Sequence, residues 1–425
     1  MGSELTMASR AEVTTKFAKQ YAHASKKDKG ALLDQVVAVT GWSRDNARRR
    51  LTAAAKQPPG RGRSVATRPS RPRRPKFSYD ALKVLQRVWA ASGSQCGKYL
   101  VVGMPLLLDL MENAGHLTPG LDHYSPEVRR ELEAMSAATI DRYLKPAKAK
   151  DQLRGKSTTT SGPLLGTSIQ IRKAGDEVEA EPGFFEVDTV AHCGPHLKGE
   201  FARTVNLTCV HTGWTFTRSI RNNAEKHILA ALGEAVEQVP FAISGMDFDN
   251  GSEFLNHGVV GWAGDLGIYF TRGRPYTKND QATIESKNGH LVRKYAYYYR
   301  YDTAAERKVL NHLWRLVDDQ FNFLKPTKKP TGWGTDRAGR RTRTYDDPAT
   351  PLNRLLRSGV LSPAQERELL THRDHLDPLD IARRINDLQT RLRVLAREKT
   401  EQLYLAQIPS ALPDVRKGIN VKKAS

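Results

Sequence analysis

The chain has 425 residues with 67 Lys+Arg against 46 Asp+Glu, a formal net charge of +21, and a hydrophobic share of 39%. That length accommodates several compact units, and the apolar share is that of folded protein. No uninterrupted apolar run approaches the roughly 18 residues of a membrane span, and no leader pattern opens the chain. The expectation is therefore a soluble, cytoplasmic protein. Cys96, Cys193 and Cys209 lack CxxC spacing, which fits a reducing compartment. The charge is uneven. Residues 1–175 hold 31 Lys+Arg against 14 Asp+Glu, or +17, which leaves +4 for the other 250. A basic front joined to a near-neutral back points to a polyanion-binding region attached to something else.

Residues 11–56 read as three helices. "AEVTTKFAKQYAHA" is followed by "KKDKGALLDQVVAVT", a turn at Gly41, and "SRDNARRRLTAAAK" with Ser43 as N-cap. A helix, a Gly-containing turn and a basic second helix make a helix-turn-helix candidate, with Arg44, Asn46, Arg48 and Arg49 on the face offered to DNA. A small helical bundle with a solvated basic face is the plainer reading.

Residues 57–76, "QPPGRGRSVATRPSRPRRPK", carry seven Lys/Arg, five prolines and no acid. That proline density disfavours helix and strand. Such an arm can track phosphates or enter a minor groove through Arg61, Arg63, Arg71, Arg73 and Arg74, or serve only as a spacer. Helical signals return over 77–150. "SYDALKVLQRVWAAS" places Leu82, Leu85 and Trp89 at helical spacing, "SPEVRRELEAM" opens with a cap and an N1 proline, and "SAATIDRYLKPAKAK" is capped by Ser136. This reads as a second helix-turn-helix unit, with Thr139 and Arg142 as DNA contacts.

From about residue 176 the period changes. "GFFEVDTVAH", "EFARTVNLTCVH" and "GWTFTRSIR" suit three antiparallel strands. An amphipathic helix ("NAEKHILAALGEAVEQV"), a buried-type strand ("PFAISGMDFD"), a helix, a short strand ("GIYFTR") and a longer helix ("NDQATIESKNGHLVRKYA") follow, in the order βββαβαβα. Beyond residue 301 come an apolar helix around Leu310–Phe323, a Pro/Gly/Lys/Arg-rich segment and a helical end. There Ile381, Ile385, Leu388, Leu392 and Leu395 form a short heptad-like seam, for docking on the chain itself or for pairing between protomers.

The acidic residues of the β-rich segment raise a chemical question. Asp188 lies in the first strand, Asp249 ends the fourth beside Asn250-Gly251, and Glu285 follows 36 positions after Asp249, near the start of the last helix. If the first and fourth strands are neighbours, three carboxylates converge at one edge of an α/β layer. Such a group repels itself unless cations occupy it. Hard divalent ions, two Mg²⁺ or Mn²⁺ per site, take oxygen ligands and suit in-line displacement at phosphorus. Asp247 points the same way as Asp249 and is assigned supporting contacts; Glu186 and Asp280 are assigned to the surface. Arg274, Lys278 and Lys287, with Arg272, Arg293 and Lys294 nearby, can hold phosphates or be merely solvated. The run Tyr295–Tyr301 can pack on the sheet or stack on bases. "HCGPH", His192–His196, lacks a second ligand pair for zinc. No P-loop occurs.

"EVDTV", "DFDNGSEF" and "RPYTKNDQATIESKN" resemble, in order and spacing, the catalytic domain of the DDE transposase and retroviral-integrase superfamily, over about residues 180–300. "NFLKPTKK" and "YDDPATPLNRLL" look like segments that follow it in bacterial insertion-sequence transposases. The resemblance implies a ribonuclease-H-like fold, Asp188, Asp249 and Glu285 as catalytic metal ligands, strand cleavage at transposon ends, and transfer of the freed 3′-hydroxyl into target DNA. It also implies a homodimer or higher oligomer on double-stranded DNA, associated with the nucleoid when bound. The expected organisation is multidomain: a helix-turn-helix domain (1–57), a basic linker (58–76), a second helical DNA-binding domain (77–160), an α/β catalytic domain (176–300) and a mainly helical C-terminal region with a small basic segment (301–425). The rival readings are a metal-dependent nuclease on the same fold and a non-catalytic, transposase-derived regulator.

Overall fold

Local chemistry sets the first helix ends. Thr6, Ser25 and Ser43 cap α1 (Met7–His23), α2 (Lys26–Thr40) and α3 (Arg44–Ala55); each side-chain oxygen accepts the backbone N–H three residues on. Gly41 ends α2 at φ 69°, a left-handed conformation that a Cβ would penalise. Tyr21, Leu33, Val36, Trp42, Ala47 and Leu51 close a small core between the three helices. The computed structural model describes residues 5–56, 76–148, 171–172, 181–248, 254, 256–273, 284, 287–335 and 339–405. The chain divides into two compact units, Met1–Lys76 and Phe77–Ser425.

The second unit opens with α4 (Tyr79–Ala91), α5 (Gly97–Asn113), α6 (Pro126–Glu133) and α7 (Ala137–Lys148). Their core includes Val84, Leu85, Leu107, Leu108, Met111, Leu132 and Ile140. Helix α5 was not among the expected elements. It is apolar on more than one side because it serves two cores: Leu107, Leu108 and Met111 pack among the helices, while Leu110 joins the core of the sheet.

That sheet contains β1 (Ile171–Arg172), β2 (Phe184–Ala191), β3 (Arg203–Cys209), β4 (Thr215–Ile220), β5 (Gly245–Phe248) and β6 (Tyr269–Gly273). The order is β1-β6-β5-β2-β3-β4. Strands β2, β3 and β4 form an antiparallel meander; β5 then pairs parallel to β2, and β6 parallel to β5. The first and fourth expected strands are thus neighbours. Gly245 permits this approach, since a Cβ there would sit 2.5 Å from the Phe184 ring. Helices α8 (Glu225–Gln238) and α9 (His257–Asp265) fill the connections. Phe185, Val187, Val205, Leu207, Leu232, Met246 and Phe248 belong to one large core.

Helix α10 begins as a π-helical stretch, Asn288–Arg293, and continues through Lys294–Ala296. Helix α11 (Ala304–Asp319) starts at a capping box between Thr303 and Glu306 and runs into a π-helical turn, Gln320–Leu324. A two-stranded ribbon, β7 (Pro330–Thr335) with β8 (Arg341–Tyr345), precedes α12 (Pro351–Ser358), α13 (Pro363–Asp374) and α14 (Pro378–Leu405). The seam of α14 docks on its own chain: Ile381, Ile385, Leu392 and Ala396 are buried in the sheet's core, with Leu388 packed against it. Leu395 is 40% exposed, so the inward stripe passes through Ala396 and Thr400 instead. Tyr295 and Tyr301, the ends of the tyrosine run, are also buried. The architecture is a helical N-terminal region, a central mixed sheet and a helical C-terminal region. No described helix is long and apolar enough to cross a membrane.

Candidate active site

Alternation along β2 puts Glu186 and Asp188 on one face of the sheet, while Phe185 and Val187 go into the core. The parallel register sets Asp247 of β5 abreast of Glu186, so the same face carries a third carboxylate. Asp247 is 1% exposed and accepts Thr271 Oγ1 from β6 at 2.6 Å. Glu186 is 4% exposed and accepts the Ile284 N–H at 2.8 Å. The surface assignment for Glu186 is therefore corrected: the residue is buried, and its carboxylate is engaged by the backbone of Ile284.

Asp188 is held from two sides. One oxygen accepts the N–H of Thr189 at 2.6 Å; the other accepts Asn288 Nδ2 at 2.5 Å. Asn288 Oδ1 in turn accepts Asn206 Nδ2 at 3.0 Å, and Asn206 pairs with Asp188 across β3. A carboxylate only accepts, so Asn288 must turn its amino group to Asp188, and Asn206 supplies the donor that fixes this orientation. Nothing local in the sequence marks Asn288 or Asn206 as the hold on Asp188.

The surroundings are electrostatically constrained. Burial pulls the Arg293 guanidinium below its ordinary value, against Tyr298, Cys193 and Asp188, which favour the charged form. Burial, reinforced by Arg293, drives His192 well below its usual range, so the imidazole is neutral. Its Nε2 lies 2.7 Å from Thr204 Oγ1. Lys287 turns its ammonium inward, 5.1 Å from the Phe321 ring centroid. Burial, with Arg354 adding and Asp318 opposing, pushes that amine down to about 8.

The remaining sequence candidates fall as follows. Arg44 pairs with Asp34 and donates to Gly30 O at 3.3 Å; Arg48 pairs with Asp45 at 3.4 Å. Arg48 and Arg49 are exposed, and Asn46 is partly so and lies on the N-capped first turn. Arg142 donates to Thr139 Oγ1 at 3.3 Å on α7. Asp249, Glu285, Asp280, Arg274, Lys278, Arg61, Arg63, Arg71, Arg73 and Arg74 lie outside the described residues. Among the described residues no cluster of three His/Cys/Asp/Glu side chains is arranged to hold a metal ion.

The sheet carries acidic side chains on one face of its central strands, β2 and β5, and helical regions flank it. The family profile described as "Integrase core domain" matches residues 179–278. The "Uncharacterized protein y4rM" of Sinorhizobium fredii (strain NBRC 101917 / NGR234) is 34% identical over 354 residues, covering 83% of this chain and 97% of that protein. The catalytic core domain of BIV integrase, known from a crystal structure, aligns with 41% of this chain and 94% of its own at 15% identity and a TM-score of 0.28. The chain belongs to the integrase/transposase superfamily, and within it to the family of the y4rM protein. Its core places it among transposase- and integrase-type DNA-processing proteins.

Proposed function

We propose that the protein is a DNA transposase that cleaves strands at transposon ends and transfers the freed 3′-hydroxyl into target DNA. Asp188, Asp249 and Glu285 are its catalytic and metal-binding carboxylates. One observation carries this reading. Ile284 and Asn288, which bracket Glu285, are hydrogen-bonded to Glu186 and Asp188, two neighbours on one face of β2. Covalent geometry supplies the third member: Phe248 is paired with Val187, and Asp249 is one peptide, about 3.8 Å between Cα atoms, beyond it. These contacts of Ile284, Asn288 and Phe248 with β2 support the reading.

Hard oxygen donors on one sheet face fit Mg²⁺ or Mn²⁺, and the Asp188 carboxylate is oriented by N–H donors from Thr189 and Asn288. When bound, two such ions supply Lewis-acid activation of the attacking oxygen and stabilisation of the leaving one. The chain's own contribution is orientation. Asn288 and Thr189 fix the Asp188 carboxylate, Ile284 ties the segment before α10 to β2, and Arg293 adds positive potential beside the site.

The strand order, an antiparallel meander followed by two parallel additions on its first strand, supports a ribonuclease-H-like arrangement. Helices α2 and α3, joined through Gly41, act as a helix-turn-helix that presents Arg44, Asn46, Arg48 and Arg49 to DNA, and α6–α7 supply a second such unit with Thr139 and Arg142. Arg61, Arg63, Arg71, Arg73 and Arg74 track phosphates in the arm between them, and Arg274 and Lys278 serve the DNA near the catalytic carboxylates; Lys287, expected as a third such contact, is corrected, since its amine is buried against Phe321. The protein works as a homodimer or larger oligomer, since two ends must be joined, in the cytoplasm and on the nucleoid.

The test is strand transfer of a pre-cleaved transposon end into plasmid with Mg²⁺ or Mn²⁺. Joined products are expected with the wild type and lost in Asp188→Asn with duplex binding retained. Nicking without joining would make the protein a nuclease, and wild-type inactivity would overturn the catalytic reading.

A further inference from the structure

The ribbon β7–β8 stands outside the chemistry above. Its register pairs Trp333 with Arg343 and Thr335 with Arg341. Alternation then gathers Trp333, Thr335, Arg341, Arg343 and Tyr345 on one face, while Gly334, Thr342 and Thr344 leave the other face thin. Trp333 is 48% exposed and Tyr345 52% exposed. The Arg341 guanidinium lies 4.2 Å from the Trp333 ring centroid and that of Arg343 lies 5.1 Å away. Neither arginine forms an ion pair among the described residues. Neither strand contains an acidic residue. Asp346, the first acid beyond β8, is already engaged by Arg354 at 2.8 Å and by the Lys329 N–H at 2.5 Å.

An isolated two-stranded ribbon is marginal in water. Stacking on the indole does more than cover it. It holds each guanidinium plane in place at little further entropy cost and leaves the N–H edges open, the arrangement suited to bidentate phosphate recognition. A two-stranded ribbon is also a shape that a DNA major groove admits.

We propose that this ribbon is a duplex-DNA contact element in which Arg341 and Arg343 grip backbone phosphates and Trp333 positions them. The inference rests on the DNA-processing reading for its partner but not on the catalytic carboxylates. Binding of the full chain to a labelled duplex oligonucleotide of random sequence, followed across a salt titration, tests it. The Arg341→Ala/Arg343→Ala double variant is expected to flatten the slope of log K against log salt by about 1.8, two phosphates at roughly 0.9 each, and to weaken binding on the order of tenfold near 0.15 M salt. Trp333→Ala is expected to move both quantities in the same direction, and Trp333→Phe to restore much of the loss, since a smaller ring still stacks. Thermal melting of Trp333→Phe guards against a folding defect.

If the wild type binds duplex and all three variants match it in slope and affinity, the ribbon proposal is overturned while DNA processing stands. Loss confined to a single-stranded oligonucleotide would overturn it as well, since Trp333 would then be stacking on bases. A wild type that binds no duplex at any salt would sink both readings together.

Discussion

Asp188, proposed above as a catalytic carboxylate, is oriented by a residue remote from it in the chain. Its Asn288 donor is 100 residues away in the chain, so a motif can mark the acid but not its hold. Asn288→Ala removes that donor and leaves Asn206 Nδ2 without its acceptor. Activity is expected to fall about 10- to 100-fold, as for other partners that orient a metal ligand, and rising Mg²⁺ should recover part of it. Strand-transfer rates measured over a Mg²⁺ titration check this. Lys325 gives a second residue-scale prediction. It is 6% exposed, lies 4.3 Å from the Phe321 centroid and donates to Tyr295 Oη at 2.6 Å. Burial, with Lys294 and Lys287 adding, holds its pKa well below the ordinary 10.5. The unfolded chain therefore binds the extra proton between the folded pKa and about 10.5, and this group makes stability rise with pH across that window. Lys325→Met should flatten the rise and cost little near pH 7, because Tyr295 keeps its bond to Gln320 at 2.8 Å. Denaturant midpoints from pH 7 to 10 measure it.

Among the elements, β4 is an edge strand whose open side is not left to solvent. Asn322 accepts the Thr215 N–H and donates to Thr215 O, both at 2.8 Å; Asp318 accepts the Thr217 N–H at 2.9 Å; Asn311 accepts the Ser219 N–H at 2.7 Å and donates to Ser219 O at 3.0 Å. Side chains of α11 and the turn after it thus imitate a neighbouring strand and block edge-to-edge pairing. Asn322→Ala leaves buried backbone groups unpaired and should cost about 1–3 kcal/mol. Asn311→Ala/Asn322→Ala should also aggregate on partial unfolding, checked by light scattering during a thermal ramp. Strands β2 to β6 were legible because alternation and turn residues are local signals, whereas β1 and the β7–β8 ribbon were not among the expected elements. This edge cover was not, since Asn311, Asp318 and Asn322 read in sequence as ordinary polar positions of a helix. Helix α5 escaped for the opposite reason: facing two cores, it shows no single apolar stripe. The seam of α14 was visible, but only packing separates docking from pairing, and Leu395 shows that periodicity alone carries the stripe too far.

At the scale of the whole molecule, charge and chemistry are separated along the chain. Residues 1–76 hold 18 Lys+Arg against 5 Asp+Glu, and this span is one of the two compact units. The acidic face and the ribbon both belong to the other unit, Phe77–Ser425, which has its own helical and sheet cores. A chain starting at Phe77 should therefore fold, with a cooperative melt. Phosphate contacts dominate the salt dependence of DNA binding, so removing the basic unit should reduce the slope of log K against log salt by several units. The ribbon should account for about 2 of the slope that remains, a share that Arg341→Ala/Arg343→Ala removes from the truncated chain. Metal-dependent nicking of plasmid should persist with a weakened preference for transposon ends, because α2 and α3 are gone while α6, α7 and the carboxylate-bearing face remain. Should the truncated chain keep the full slope and an undiminished preference for ends, recognition would lie within the second unit, and the proposed role of α2 and α3 would have to be abandoned.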